Sequence, residues 1–493
     1  MTITQAWVAR WSAEPDRVVL VDARDGSQLT GADLLARTAS AAAAMAAAGA
    51  APGERVLLSC GPSPETVIAY VAILRLGAAI VPANTGYTRG ELEHIVGDVR
   101  PVVAVVDDPA RVEGLDVPAL TLADLAVGGG AVDDEDAPTS GDLAVDGGVD
   151  ALDEADDDAL GMVAYTSGTT GRPKGAMLSR GNLRAGAEAL VEAWEWTSDD
   201  RLVHALPMFH MHGLGAAING SLAAGASMVV LPRFDADALV EAAHAHGATM
   251  FFGVPTMYAR LRDSGRLPEL AHLRLLVSGS APLDPVLFEA VRREAGQAPV
   301  ERYGMSETVM LASNPVQGER KAGAVGLPLP GVRIRLGEGD GVEVMGPNVF
   351  RGYWERPDAN AAAFTDDGWF RTGDIGELDD DGYLRLVGRA SDLIISGGYN
   401  VYPREVEDAV LEHPDVVDAA VVGIPDDTWG ERVVAFVVLS EGSSYADDAL
   451  SAELDTHASL RLASYKRPKQ WTVSESLPRN AMGKVLRDQL RTT

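Results

Sequence analysis

Alternation of strand-like and helix-like segments is the feature that most narrows the folds open to this chain. Short runs rich in Val, Leu and Ile occur at 17–23, 55–61, 78–84 and 101–108, and segments with helical patterning separate them. Strands that alternate with helices predict parallel pairing, because each helix carries the chain back to the same edge of a sheet. We therefore expect an α/β fold with a large N-terminal domain of mainly parallel sheets flanked by helices.

Two changes of pattern divide the rest of the chain. The 493 residues exceed the size at which a single core keeps growing, so two or three domains are expected. Short strands and glycine turns between about 320 and 390 predict a β-rich subdomain, and the segment from 405 onward reads as helix, strand, turn, strand. We predict an N-terminal domain at 1–388, a hinge at 389–392 and a small α+β C-terminal domain at 393–493.

Charge limits the classes of partner. The chain has 72 acidic and 41 basic residues, for a net charge of −31, which argues against nucleic acid because phosphate backbones require a basic surface. Twelve acidic residues and no Lys or Arg fall between 133 and 158, which favours a mobile surface connector over an acidic interaction patch. Any site for an anion must therefore be locally basic.

Features of export and of membrane insertion are not found. The N-terminal residues lack a basic region followed by an apolar run, and the alanine-rich stretch near residue 45 falls short of the ~20 apolar residues of a membrane span. The single cysteine, Cys60, forms no intramolecular disulfide. We expect a cytoplasmic protein without a membrane span.

One segment is built like a phosphate-binding loop. "AYTSGTTGRPKGAML" at 164–178 follows a strand-like run and combines hydroxyls, glycines and Lys174. Backbone N–H groups of a glycine-rich loop bind phosphate, and hydroxyls and a lysine add donors and charge. Lys174 is followed by glycine, so this is not a Walker A loop, and "GLGAAING" at 213–220 does not fit a dinucleotide-binding motif. On the residues alone, a nucleotide loop and a plain turn remain open.

The full sequence of this segment favours a nucleotide-binding loop over a plain turn. "YTSGTTGRPKGAML" resembles the signature of the adenylate-forming, AMP-binding superfamily, and further motifs follow in the order seen in that superfamily. These are "LPMFHMHGL" at 206–214, "SGSAPL" at 278–283, "RYGMSET" at 302–308, "WFRTGDIG" at 369–376, "GRASDLIISGGYNVYPREVE" at 388–407 and "PRNAMGKV" at 478–485. The resemblance covers nearly the whole chain. It implies a large N-terminal part with a C-terminal lid, and a two-step reaction in which an acid forms an acyl-adenylate and then a CoA thioester.

The resemblance also implies roles for individual residues. Lys484 would stabilise the transition state, Glu307 would hold Mg²⁺ together with Thr166, and His210 would either shape the pocket or contact the reacting carboxylate. Tyr303 would stack on adenine, Asp374 would bind the ribose hydroxyls, and Arg389 would assist at the ribose or phosphate. The β- and γ-phosphates would be bound by Thr166, Ser167, Gly168, Thr169, Thr170 and Lys174. In the lid, CoA would contact Gly397 and Gly398, with Lys466, Trp429 and Gly430 as weaker candidates. ATP, Mg²⁺ and CoA are the expected cofactors.

Arg302 indicates which acid the pocket would bind. Arg302 directly precedes Tyr303, at the expected wall of the acyl pocket. In an otherwise apolar pocket, its positive charge would need an anion as a partner. The alternative is that Arg302 pairs with Glu301 or another acid and faces outward. "ERYGMSET" and "LLVSGSAPL" look like malonyl-CoA synthetases, in which an Arg and a Ser at the positions of Arg302 and Ser280 hold the distal carboxylate; Met305 would also line the pocket. Malonate is the predicted acid and methylmalonate a second one.

Three other functions remain open at this stage. A medium- or long-chain fatty acyl-CoA ligase would share the nucleotide motifs but would not accommodate a buried Arg302. A carrier-protein-loading adenylation domain would also share them. A non-catalytic nucleotide-binding protein would be expected to lack Lys484, Glu307 or Lys174, and all three are present.

Overall fold

A computed structural model describes residues 1–126, 152–166, 173–426, 428–440, 443, 447–480 and 483–492. In chain order, its strands are β1 (Val18–Asp22), β2 (Gln28–Thr30), β3 (Arg55–Ser59), β4 (Ala79–Pro82), β5 (Val103–Val106), β6 (Ala119–Leu120), β7 (Leu160–Thr166), β8 (Lys174–Ser179), β9 (Arg201–His204), β10 (Ser227–Val230), β11 (Met250–Gly253), β12 (Leu275–Ser278), β13 (Val300–Tyr303), β14 (Ala312–Ser313), β15 (Leu327–Pro328), β16 (Arg333–Leu336), β17 (Gly341–Met345), β18 (Phe370–Leu378), β19 (Leu384–Arg389), β20 (Ile394–Ser396), β21 (Tyr399–Val401), β22 (Val416–Asp426), β23 (Gly430–Leu439) and β24 (Gln470–Val473).

The α-helices are, in the same order, α1 (Ile3–Ala13), α2 (Gly31–Ala47), α3 (Pro64–Arg75), α4 (Arg89–Val99), α5 (Leu122–Ala126), α6 (Arg180–Ala193), α7 (Asn219–Ala224), α8 (Ala236–Ala245), α9 (Pro255–Asp263), α10 (Pro285–Glu294), α11 (Pro357–Ala363), α12 (Pro403–Leu411), α13 (Asp447–Ser459) and α14 (Arg487–Leu490). Local sequence explains where several of these helices begin. Thr30 and Asp33 form a capping box at α2, and Ser63 caps α3 ahead of Pro64. A π-helix at His212–Ile218 leads into α7.

Two sheets form the N-terminal part. One runs in the order β6-β5-β3-β4-β7-β8, and the other runs β15-β14-β13-β12-β11-β9-β10-β1-β2. Pairing is parallel through most of both sheets, and the helices cover a continuous apolar core. The predicted α/β class is therefore observed. The strands between 17 and 108 do not all share one sheet, because β1 and β2 pair with each other and β1 joins β10 at the end of the nine-stranded sheet.

The predicted β-rich segment is an antiparallel sheet. Its strands follow the order β16-β17-β18-β19, and β18 bulges between Ile375 and Gly376. The bulge lies next to Asp374 and separates the pairing of Asp374 with Arg389 from the regular ladder that follows. This sheet thereby places two predicted site residues side by side.

The C-terminal part has apolar clusters of its own. Strands β20–β24 form one sheet, in which the long hairpin of β22 and β23 is central, and α12 packs on β22. The members of these two clusters all come from Ile394 onward. A short 3₁₀ turn at Ala390–Asp392 precedes them. The boundaries at 388 and 393 stay predictions.

Part of the predicted acidic connector is anchored. Residues 127–151 lie outside the described residues. Beyond them, Asp153 pairs with buried Arg75 at 3.0 Å, Asp157 pairs with Arg184 at 2.7 Å, and Asp158 pairs with Arg351. The end of the acidic run is therefore fixed to the N-terminal part by ion pairs. Across the described residues, no helix is both long and apolar enough to cross a membrane.

Candidate active site

A cleft between the nine-stranded sheet, the β18–β19 pair and the C-terminal part collects many of the predicted site residues. Its walls include Ser280, Arg302, Tyr303, Asp374, Arg389, Lys466 and Lys484. Three of them follow from topology. The strands β12 and β13 are parallel neighbours, so Ser280 just after β12 lies beside Arg302 and Tyr303 at the end of β13.

One half of the cleft holds a buried acid–base pair. Asp374 is 5% exposed and accepts a bond from Arg389, whose Nε lies 2.9 Å from Oδ1. The Tyr303 hydroxyl donates to the other carboxylate oxygen of Asp374. The neighbouring Asp374 carboxylate raises the pKa of the Arg389 guanidinium, so this group stays cationic. The three side chains form a fixed polar unit that can position hydroxyls or phosphate of a nucleotide.

Glu307 lies deeper, with different partners. It is 5% exposed and accepts a 3.0 Å bond from the Tyr353 hydroxyl, and burial raises the pKa of its carboxyl. Within the described residues it forms no ion pair, and no cluster of three or more His, Cys, Asp or Glu could hold a metal ion. One buried carboxylate without a cationic partner fits Mg²⁺, which takes one or two carboxylates and completes its shell with phosphate oxygens and water. Glu307 and, at the loop, Thr166 are the residues that would hold it.

The predicted phosphate loop connects two antiparallel strands rather than a strand and a helix. Thr166 at the end of β7 pairs with Lys174 at the start of β8, and its hydroxyl lies 3.5 Å from the Lys174 carbonyl oxygen. Ser167, Gly168, Thr169 and Thr170 lie outside the described residues. The Lys174 ammonium is placed 5.5 Å from the centre of the Tyr353 ring.

The other half of the cleft contains a buried arginine. Arg302 is 5% exposed, and its Nη2 donates to the Ser280 hydroxyl at 3.3 Å. Burial lowers the pKa of Arg302 to about 9, which leaves the guanidinium charged at neutral pH. Its Nε has no hydrogen-bond partner among the described atoms. Ser280, at φ +73°, adopts a backbone conformation that non-glycine residues rarely take.

The outward pairing of Arg302 with Glu301 is not observed in the described structure. Glu301 accepts a 3.2 Å bond from the Leu283 backbone N–H, and burial raises the pKa of its carboxyl to about 7. The two side chains follow one another on β13 and so leave the strand on opposite faces. Arg302 therefore faces the pocket, and none of the described residues gives it a carboxylate partner.

Histidines complete this pocket. Burial, together with the Arg302 charge, lowers the pKa of half-buried His210 to about 4 and that of buried His212 well below its usual value. His212 Nδ1 lies 3.2 Å from the Ser280 hydroxyl, while its Nε2 lacks a partner among the described residues. Both imidazoles are neutral at pH 7. Met305 lies half-buried nearby, with its sulfur 3.9 Å from the Tyr303 hydroxyl.

The C-terminal part presents Lys484 to the cleft. Gly483, with φ +76°, lies so near the N-terminal part that a Cβ there would meet Thr256 at 3.2 Å. Partial desolvation and the Arg389 charge lower the pKa of the Lys484 ammonium. Lys466 lines the same cleft and pairs with Glu405. Gly397 and Gly398 are exposed in the β20–β21 turn and are not among the residues that line the cleft. Gly397 lies instead against Trp429, whose carbonyl accepts its N–H at 2.7 Å.

Comparison with known families covers both parts of the chain. Residues 7–354 match the AMP-binding enzyme family, and residues 405–484 match the AMP-binding enzyme C-terminal domain. The chain belongs to the AMP-binding enzyme family. The resemblance inferred from its motifs is thereby confirmed.

Relatives place it among the AMP-forming acyl-CoA synthetases of that family. The chain is 37% identical to the malonate–CoA ligase ACSF3, mitochondrial, of Bos taurus, over 88% of this chain and 80% of the other. It is 36% identical to the indoleacetate–CoA ligase of Aromatoleum aromaticum, over 98% and 97% of the two chains. The crystal structure of ATP-bound MatB from Rhodopseudomonas palustris superposes with a TM-score of 0.89 at 37% identity, covering 100% and 99%.

Two residues of this AMP-binding enzyme escaped the sequence interpretation. His212 shares the "FHMH" stretch with His210, and only the π-helix that begins at His212 directs it to Ser280. Tyr353 stands in "RGYW", far along the chain from Lys174 and Glu307, yet contacts both. Neither carries a local pattern that distinguishes it from an ordinary core residue.

Proposed function

We propose that this chain is an ATP-dependent acid:CoA ligase that converts malonate to malonyl-CoA, with methylmalonate as a second substrate. The observation that carries the proposal is Arg302, a buried guanidinium that faces the pocket and has no carboxylate partner among the described residues.

Burial of an unpaired charge is costly, so an anion in the pocket is expected to balance it. A dicarboxylic acid would bring one carboxylate to Arg302 and leave the other free for activation. Ser280 and a neutral His212 offer hydrogen bonds beside the guanidinium. One additional methyl group changes binding in a pocket by only ~1–3 kcal/mol, which is why methylmalonate remains a candidate.

The other end of the substrate would react near Lys484. The first step unites two anions, a carboxylate and the α-phosphate of ATP, so charge neutralisation and alignment dominate it. Lys484 would stabilise the charge of the transition state, and the Asp374–Arg389–Tyr303 unit would hold the nucleoside. When bound, Mg²⁺ would neutralise charge on the phosphates.

The second step requires CoA to reach the acyl-adenylate. Lys484 reaches the cleft in the structure, whereas Gly397 and Gly398 lie outside it. We infer that the lid turns about 389–392 between the steps and that the 397–398 turn then lines the thiol passage. Pyrophosphate leaves in the first step and AMP in the second. The cytoplasmic location stays a prediction from the sequence.

The competing assignment is a ligase for monocarboxylic acids with a long or aromatic tail. Such an acyl tail would leave Arg302 buried without an anion, at a cost that malonate avoids. No observation in the cleft favours that assignment. A carrier-protein-loading domain would share the acid pocket and differ only in the thiol acceptor.

The test is thioester formation with malonate, methylmalonate, butyrate, decanoate and indoleacetate, using CoA or a carrier protein as the acceptor. Malonate with CoA is expected to give the highest kcat/KM. Arg302→Ala is expected to lose about 2–5 kcal/mol of transition-state stabilisation with malonate, because a buried charge pair loses one partner. Arg262→Ala is the matched control, because Arg262 lines the same cleft but is 38% exposed and pairs with Asp263. Decanoate or indoleacetate as the best substrate would overturn the proposal.

A further inference from the structure

Tyr353 lies between the two oppositely charged groups expected at the phosphates. Its hydroxyl donates to Glu307 Oε1 at 3.0 Å, and its ring centre is 5.5 Å from the Lys174 ammonium. A cation within about 6 Å of an aromatic ring is attracted to the ring electrons. One side chain therefore contacts both the carboxylate suited to Mg²⁺ and the lysine beside the phosphate loop.

The backbone of Tyr353 is held from two sides. The Asn360 side chain accepts a bond from the Tyr353 N–H at 2.5 Å and donates to its carbonyl oxygen at 3.1 Å. On either side of Tyr353, the Gly352 carbonyl accepts from Met177 at 3.0 Å and the Trp354 N–H donates to Gly175 at 2.8 Å. The segment around Tyr353 thus pairs with β8, the strand that begins at Lys174, and its ring has little freedom to move away.

Glu307 is tied to the same segment. Its backbone carbonyl accepts a 2.8 Å bond from the Phe350 N–H, and the Phe350 ring packs edge-on against Tyr353 with 4.9 Å between the ring centres. One short stretch, residues 350–354, therefore contacts both the strand that begins at Lys174 and the backbone of Glu307. This stretch lies outside the loop that would touch the phosphates.

An ammonium and a carboxylate that both contact one side chain would be expected to attract each other. If they formed an ion pair, neither would be available to a metal-bound polyphosphate. The described residues show no ion pair between them within 4.0 Å, and both instead contact the same neutral ring system. A tyrosine suits this position because its hydroxyl binds the anion while its face attracts the cation.

We propose that Tyr353 is a positioning residue that keeps Lys174 and Glu307 ordered and apart, so that both are ready for the polyphosphate and its Mg²⁺. The inference rests on the proposed function, since it assumes that Mg²⁺ and ATP bind here. Tyr353 acts through its two neighbours and not on the reacting atoms.

The test measures binding rather than turnover. A non-hydrolysable ATP analogue is titrated calorimetrically into the whole protein, once in excess Mg²⁺ and once in EDTA, and the ratio of the two dissociation constants gives the gain from Mg²⁺. Tyr353→Phe keeps the ring but frees Glu307, and we expect it to reduce this gain about 3- to 30-fold. Tyr353→Leu also removes the ring and is expected to weaken binding in EDTA about 3- to 10-fold as well.

Tyr383→Phe is the matched control. Tyr383 also donates its hydroxyl, at 2.8 Å to the Glu319 carbonyl, and also carries a lysine over its ring, with Lys321 at 4.2 Å. It is expected to leave both dissociation constants unchanged. Adding Tyr353→Phe to Glu307→Gln is expected to reduce the Mg²⁺ gain no further, whereas general destabilisation would lower binding in both backgrounds.

The outcomes separate the two proposals. If the wild-type protein shows no gain from Mg²⁺, the ATP-dependent function itself fails. If the wild type shows the gain and Tyr353→Phe equals it, only the role of Tyr353 is overturned. A loss of affinity in Tyr353→Phe that is equally large in excess Mg²⁺ and in EDTA would also contradict this role, because such a loss would not depend on Mg²⁺.

Discussion

Gly279 controls the place of Arg302, and replacing it with alanine gives a sharp test of the acid pocket. A Cβ at this position would lie 2.4 Å from Arg302 Nε and 2.5 Å from its Cζ. Ordinary contacts begin near 3.4 Å, so the guanidinium must retreat by about 1 Å. Gly279 does not require a positive φ, so alanine brings steric crowding without backbone strain.

A shift of this size in the guanidinium is large enough to lower the reaction rate. The bond from Arg302 to Ser280 is already 3.3 Å long and would be lost. Misplacement of a positioning group by 1 Å can cost 10²-fold in rate, which corresponds to about 2.7 kcal/mol. We therefore expect kcat/KM for malonate to fall about 100-fold in Gly279→Ala. The affinity for ATP should stay unchanged, because the three atoms nearest to the added Cβ all belong to Arg302.

The assay is steady-state thioester formation with malonate, alongside calorimetric titration with ATP. Gly90→Ala is the control, because Gly90 sits in α4 with no atom within 4 Å of the place that an added methyl group would take, and an alanine there favours the helix. A folded Gly279→Ala protein with unaltered kcat/KM for malonate would refute the placement of the distal carboxylate at Arg302.

Three further predictions concern binding, packing and pH. Tyr303→Phe removes the bond to Asp374 and is expected to weaken AMP binding about 3- to 10-fold by calorimetry; unchanged affinity would contradict the polar unit described above. Gly186→Ala would place a Cβ 2.7 Å from the Val309 side chain. The free energy of unfolding measured in denaturant titrations should therefore fall by about 1–3 kcal/mol. An unchanged free energy of unfolding would mean that the helix shifts without cost and would contradict the prediction. Burial lowers the pKa of His204 from 6.5 to about 4, so the unfolded state binds more protons between these pH values. The free energy of unfolding therefore decreases as the pH is lowered through this range, by up to ~1.4 kcal/mol per pH unit. His204→Asn should flatten this slope, and an equal slope in both proteins would argue against it.

Local sequence patterns predicted the fold class but not the partners of every strand. The run at 17–23 has the composition of a parallel core strand, and it is one, yet β1 pairs with β10 about two hundred residues later. The composition and periodicity of a strand indicate which of its faces are buried. They do not indicate which distant strand it pairs with. The pairing in the β-rich segment was easier to predict, because short turns join β16 to β17 and β18 to β19.

The same limit of local sequence patterns applies to the residues of the candidate active site. Long motifs identified Asp374, Arg389 and Arg302, and the cleft brings them together. The bond from His212 to Ser280 depends on a π-helix and on a positive φ at Ser280, neither of which residue identity specifies. Tyr353 is linked to Lys174 through β8 and to Glu307 through Phe350, contacts that arise only when distant segments pack. Turn and pairing geometry, not residue type, determines these positions.

The most direct test of the central claim is a crystal structure with malonate and AMP bound. We predict that the distal carboxylate lies within about 3 Å of the Arg302 guanidinium and accepts two of its N–H groups. The reacting carboxylate should then face Lys484. A distal carboxylate turned away from Arg302, or an Arg302 that pairs with a protein carboxylate in the complex, would contradict the assignment of this pocket to malonate.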